Sequence, residues 1–135
     1  MNPGRKCLPL LATMVVAGSA WGHHSFAMFD LEKEVTLEGV VKDVQWANPH
    51  VWLEIIVADG NGKSTQWGLE MGTTGMLTRA GWKSSTLKPD DKVKVVANPL
   101  KNGGTSGRLV SVTLPDGRVL GPGGPGASSP PKPPA

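Results

Sequence analysis

Nine residues, His50 to Ala58, fix more about this chain than any others. Val51, Leu53, Ile55 and Val57 fall on one side of an extended chain, while His50, Trp52 and Glu54 fall on the other. A period of two is the mark of a strand with one buried face. Directly after it, Asp59-Gly60-Asn61-Gly62 supplies residues that tolerate positive φ, a hairpin signal. Ser64 to Met71 is then predicted to return as the partner strand, with Trp67, Leu69 and Met71 on one side.

The rest of the chain extends this β pattern. In Glu34 to Trp46, Val35, Leu37, Gly39 and Val41 share a face before the apolar phase shifts to Val44 and Trp46. Such a shift near a glycine predicts a bulge or bend in a long, curling first strand. Ala47-Asn48-Pro49 makes the turn into the second strand. After the third, Thr73 or Thr74 can cap a short helix carrying Met76, Leu77 and Ala80, and Gly81 can end it. Lys92 to Ala97 and Arg108 to Leu114 read as further strands, separated by a Gly-rich loop over Asn102 to Gly107. Pro115-Asp116-Gly117 turns the chain into a short final strand ending near Leu120. Three meandering strands, a helix and two more strands predict an all-β domain with one short helix, a five-stranded OB-like barrel. An open β-sandwich needs more strands than these.

The two ends read differently. Arg5 and Lys6 precede an apolar run, Leu8 to Ala20, with small residues at its close, as in a secretory signal. The run has 13 residues, short of the roughly 20 a membrane span needs. Residues 1–20 are therefore expected to be removed, with a cut after Gly22 as the alternative, placing the product in the periplasm or outside the cell. At the other end, 121–135 reads GPGGPGASSPPKPPA and is expected to be a disordered tail or a Pro-rich docking peptide. That leaves 21–120 as one domain. Cys7, the single cysteine, departs with the signal, which excludes disulfides and thiolate chemistry from the product. Loss of Arg5 and Lys6 also lowers the net charge from +3 to +1. So small a charge argues against a nucleic-acid partner.

Three histidines carry the metal reading: His23, His24 and His50. A cut after Ala20 would expose Trp21-Gly22-His23, whose amine, backbone amides and imidazole can form a square of nitrogens suited to copper. A cut after Gly22 would make His23 the first residue, chelating through amine and ring, with His24 or His50 completing the set. Paired histidines that bind nothing are the plain alternative, with Phe26, Met28 and Phe29 packing the segment on the barrel. A second constellation follows from the hairpin. If Ala58 pairs with Ser64, Trp52 stands opposite Glu70 and His50 near Gly72, and Trp46 approaches Trp52 across the turn. Such a face can bind a small molecule or a protein by stacking; otherwise it is structural aromatic packing. Catalysis is not expected. Ser25 beside His24 lacks a third member, Glu54 and Glu70 read as solvated carboxylates, and Gly103-Gly104 lacks the lysine of a phosphate loop.

The segments His23-His24-Ser25-Phe26-Ala27-Met28-Phe29-Asp30, Asn48-Pro49-His50-Val51-Trp52-Leu53 and Leu87-Lys88-Pro89-Asp90-Asp91 resemble a family of small exported bacterial proteins known as a domain of unknown function. The similarity spans Gly22 to Leu120. It implies a periplasmic OB-like protein with the His-His-Ser segment just after the cleavage site, and it implies no cofactor. Asp91 stands where that family usually has glycine.

Overall fold

The computed structural model describes residues 26–122. The expected signal peptide, His23 and His24, and the tail from 123 onward lie outside the described residues. Within them the elements are β1 (Val35–Gln45), β2 (Trp52–Ala58), β3 (Ser64–Glu70), α1 (Thr74–Arg79), β4 (Lys92–Pro99), β5 (Ser106–Thr113) and β6 (Val119–Leu120). A single 3₁₀ turn, Phe26–Met28, precedes them. No helix among the described residues is long and apolar enough to cross a membrane.

The sheet runs β3-β2-β1-β4-β5-β6, and a parallel pairing of β3 with β5 joins it to itself. Five strands therefore close into a mixed OB-like barrel, with β6 a two-residue extension beside β5. β1 makes closure possible by serving both sides. Its first half pairs with β4 and its second half with β2. The register slips between Val41 and Asp43, so Lys42 is the extra residue that moves the inward phase from Val41 to Val44. Gly39 does not carry this bulge; it marks the close crossing of β1 and β2. A Cβ there would sit 2.5 Å from the Ile56 carbonyl oxygen, which only glycine avoids.

The β2–β3 hairpin has the register its turn predicts, from Ala58 opposite Ser64 to Trp52 opposite Glu70. Inward-facing Leu53, Ile55 and Leu69 are fully buried, joined from across the barrel by Val95, Leu109 and Val112. Each such side chain contributes about 1.5–3 kcal/mol by leaving water. Leu77 of α1, with Trp82 and Leu87 beyond it, belongs to the same cluster. β5 begins two residues earlier than predicted, at Ser106, inside the stretch expected to be loop. Gly107 is glycine because a Cβ would meet the Asn98 carbonyl oxygen at 2.8 Å and the Ala97 Cβ at 3.2 Å. The strands are packed too closely for a side chain, and glycine's weak strand preference hid the strand from the sequence.

Candidate functional site

The turn between β1 and β2 is anchored from two sides. The Asn48 side-chain oxygen accepts from the backbone N–H of Thr74 at 3.0 Å and from its hydroxyl at 3.1 Å. Thr73 caps the same helix by accepting from the Met76 N–H at 3.2 Å. Beyond the turn, Val51 N–H donates to the Gly72 carbonyl at 3.0 Å and Met71 N–H to the Val51 carbonyl at 2.9 Å. His50 is thus held between a pinned turn and a paired strand.

Its ring is oriented as well. His50 Nδ1 lies 3.1 Å from the Met71 carbonyl oxygen and 3.5 Å from Glu70 Oε1. A carbonyl only accepts, so Nδ1 carries the proton and, in the neutral ring, Nε2 carries the lone pair. Glu70 is 5% exposed although it lies on the outer side of the barrel, and Arg108 stands across from it in the β3–β5 register. Because its carboxylate is on the Nδ1 side, Glu70 steers the imidazole and is not set up to share a ligand with Nε2. Among the described residues no group of three or more His, Cys, Asp or Glu side chains gathers to hold a metal ion. His50 is one oriented donor. Any further ligands must come from elsewhere.

Trp52 occupies the same outer face. Its ring extends along the hairpin over Gly68: a Cβ at that glycine would lie 3.7 Å from Trp52 Cζ3 and 3.7 Å from Ser106 Oγ. Ser106 in turn donates to the Gly68 carbonyl at 2.7 Å, tying β5 to β3 beneath the ring. Glu54, next on this face, pairs with Lys42 at 3.5 Å, and the same ammonium donates to Gln66 at 2.8 Å. His50, Trp52 and Glu70 therefore do come together.

Trp46 does not join them. Gln45 is the residue opposite Trp52, so Trp46 takes the inward phase of Val44. It packs instead with Val51, Met71, Trp82 and Leu87 at the barrel end. The expected approach of Trp46 to Trp52 is replaced by two tryptophans on opposite sides of the wall. Ser106, Gly68 and Arg108 were missed at this face because β5 reaches it only through barrel closure, which no local pattern announces.

The N-terminal approach to the barrel borders the same region. Phe29, 2% exposed, bridges to Leu100, while Asp30 N–H donates to the Pro99 carbonyl at 2.8 Å and Lys101 N–H to the Met28 carbonyl at 3.0 Å. The loop it grips continues into Thr105, whose carbonyl accepts from Gly68 N–H at 3.2 Å. Lys33, 3.0 Å from Asp30 Oδ2, holds the Asp30 carboxyl below its ordinary value through that hydrogen bond. An open groove of about 810 Å³ lies elsewhere, over Val40, Ile56, Lys92 and Lys94, and includes none of His50, Trp52 and Glu70.

A family profile described as "Family of unknown function (DUF6152)" matches residues 12–109, well over half of the chain. No curated protein matches it. No solved structure matches it either.

Proposed function

The chain belongs to that family of unknown function, and from this footing we propose that it is an exported, non-catalytic binding protein whose site is the outer β2–β3 face beside the β1–β2 turn. The ion it takes is copper, held by His50 Nε2 together with His23 and His24 at the mature N-terminus. One observation carries this reading: His50 Nδ1 is engaged by the Met71 carbonyl and Glu70, the arrangement that presents the other ring nitrogen to a metal.

The route of the N-terminal segment supports it. Phe29 is fastened at Leu100, on the loop that continues into Thr105 and Ser106 beside the Trp52 ring. His23 precedes Phe26 by three residues, about 10 Å of extended chain. Export follows from Arg5, Lys6 and the apolar run after them, and the periplasm or the cell exterior is the destination.

The test starts from the secreted protein without an added N-terminal tag, since a tag would block the amine. Intact mass should place the terminus at Trp21 or His23. Copper titration should then show tight one-to-one binding, lost in His23→Ala and weakened about tenfold or more in His50→Ala, with one nitrogen fewer in the copper EPR spectrum. A secreted chain that starts well upstream, or an affinity untouched by His23→Ala, defeats the copper reading. An unchanged spectrum in His50→Ala defeats the barrel's part in it.

A second reading has its own observation. The Trp52 ring across Gly68 is a platform on which a flat or sugar-like molecule, or a protein segment, can stack without any metal. Binding that survives chelation and disappears in Trp52→Ala identifies that case.

A further inference from the structure

β3 and β6 lie along the same edge of β5. β4 covers one edge of β5 from Gly107 to Thr113. On the other, β3 pairs at Ser106 to Arg108 and β6 at Val112 and Thr113. β6 runs antiparallel to β5, so the chain leaving Leu120 heads toward the end of β3, where Glu70 faces Arg108. It is held on that course. Trp82 Nε1 donates to the Gly121 carbonyl at 2.7 Å, and Pro122 is buried. The C-terminal residues therefore start beside the candidate face. They do not start at the groove over Val40 and Ile56, from which β6 runs away.

We propose that the chain's own C-terminal segment, Pro130 to Pro134, docks on the Trp52 face. The proposal rests on the reading of that face as the site. Length supports it. Seven residues, Gly123 to Ser129, separate Pro122 from Pro130. A Gly/Ser-rich stretch of that size has a root-mean-square span of about 15 Å. Counting strand spacings and rises, the gap from the end of β6 past Arg108 and Glu70 to Trp52 is also about 12–15 Å. A linker matched to its span gives the highest effective concentration, in the millimolar range, so weak contacts suffice.

Chemistry supports it too. Pro-Pro-Lys-Pro-Pro is a polyproline II sequence, and such segments lay proline rings against exposed aromatic faces. The Trp52 ring lies over Gly68 beside Ser106, and Glu54, next along β2 on the same face, is a carboxylate that a lysine can pair with. Lys42 already pairs with Glu54, so the contribution of Lys132 is small beside that of the rings.

The experiment compares amide and indole NMR spectra of the secreted full chain and of a chain ending at Pro122. Docking predicts that the Trp52 indole and the Gly68 and Ser106 amides shift on truncation. A synthetic peptide of residues 123–135 at millimolar concentration should return them toward full-chain positions. Replacing the four prolines of Pro130 to Pro134 with alanine in the full chain should reproduce the truncated spectrum. Differences confined to Val119–Pro122 would overturn the proposal, as would peptide shifts centred on Val40 and Ile56. A Trp52 shift that grows with protein concentration would assign the tail to a second copy and overturn the intramolecular form. Copper titration of the truncated chain reads the face by itself, so a face that binds while ignoring its tail separates the two failures.

Discussion

Trp46 and Trp52 flank one tight turn, six residues apart, and the barrel wall separates them. Among the described residues Trp46 is one of the partly buried hydrophobic side chains packed against the core cluster, and it lies against Trp82 and Met71. Trp52 lies on the outer surface over a glycine, between Glu54 and the buried Glu70. The two residues have the same chemistry and opposite employment. One closes a barrel end by excluding water, and the other lies on the face where binding is proposed. The strand's period of two decides between them: Val44 faces Leu53 inward, Gln45 faces Trp52 outward, and Trp46 must turn inward again.

If this division is correct, substitutions on the inner face should cost stability and those on the outer face should cost binding. The largest effect is expected at Leu53→Ala, which opens a cavity among fully buried side chains and should lose about 2–5 kcal/mol in denaturant unfolding. Trp46→Ala, at a half-buried position, should lose about 2 kcal/mol by the same measurement, less than the 3–5 kcal/mol of a fully buried aromatic. Trp82→Phe keeps most of the volume but removes the donor to Gly121. It should cost about 1 kcal/mol and raise hydrogen exchange at the end of β6. Trp52→Ala should change stability least, by about 0.5 kcal/mol, while abolishing metal-independent binding at the face. Equal stability losses at Trp46 and Trp52 would break the comparison. A loss at Trp82 that leaves β6 exchange unaltered would show that the C-terminal course is fixed by something other than the indole bond.

Much of this arrangement is legible in the residues. The alternation of His50 to Ala58 and the turn Asp59–Gly62 give the hairpin and its register, and with it the meeting of His50, Trp52 and Glu70. They succeed because a two-stranded register is a local matter, set by a short turn and a period of two. The change of apolar phase in β1 announces a bulge but not its place. Lys42 carries it, because a bulged residue has no inward partner and a lysine can point into water. Gly39, the glycine nearest the phase change, is needed for another purpose, the approach of the Ile56 carbonyl.

The contributions of β5 to the site are of another kind. Ser106 and Gly107 sit in a stretch rich in glycine and polar residues that carries no strand period, just ahead of the strand predicted from Arg108. They become strand because β4 and β3 offer unpaired backbone groups on both sides, and closure satisfies them. Arg108 reaches the level of Glu70 only through that parallel pairing, thirty-eight residues away along the chain.

By itself, then, the sequence determined the succession of elements along the chain, the hairpin register and which side of β2 faces the core, since each rests on neighbours a few residues apart. Tertiary structure alone decided that β3 and β5 meet and that a buried carboxylate stands behind His50. Those outcomes depend on satisfying backbone hydrogen bonds between distant segments. Such long-range pairing is set by the closure of the whole sheet and leaves no periodic trace in any single stretch of residues.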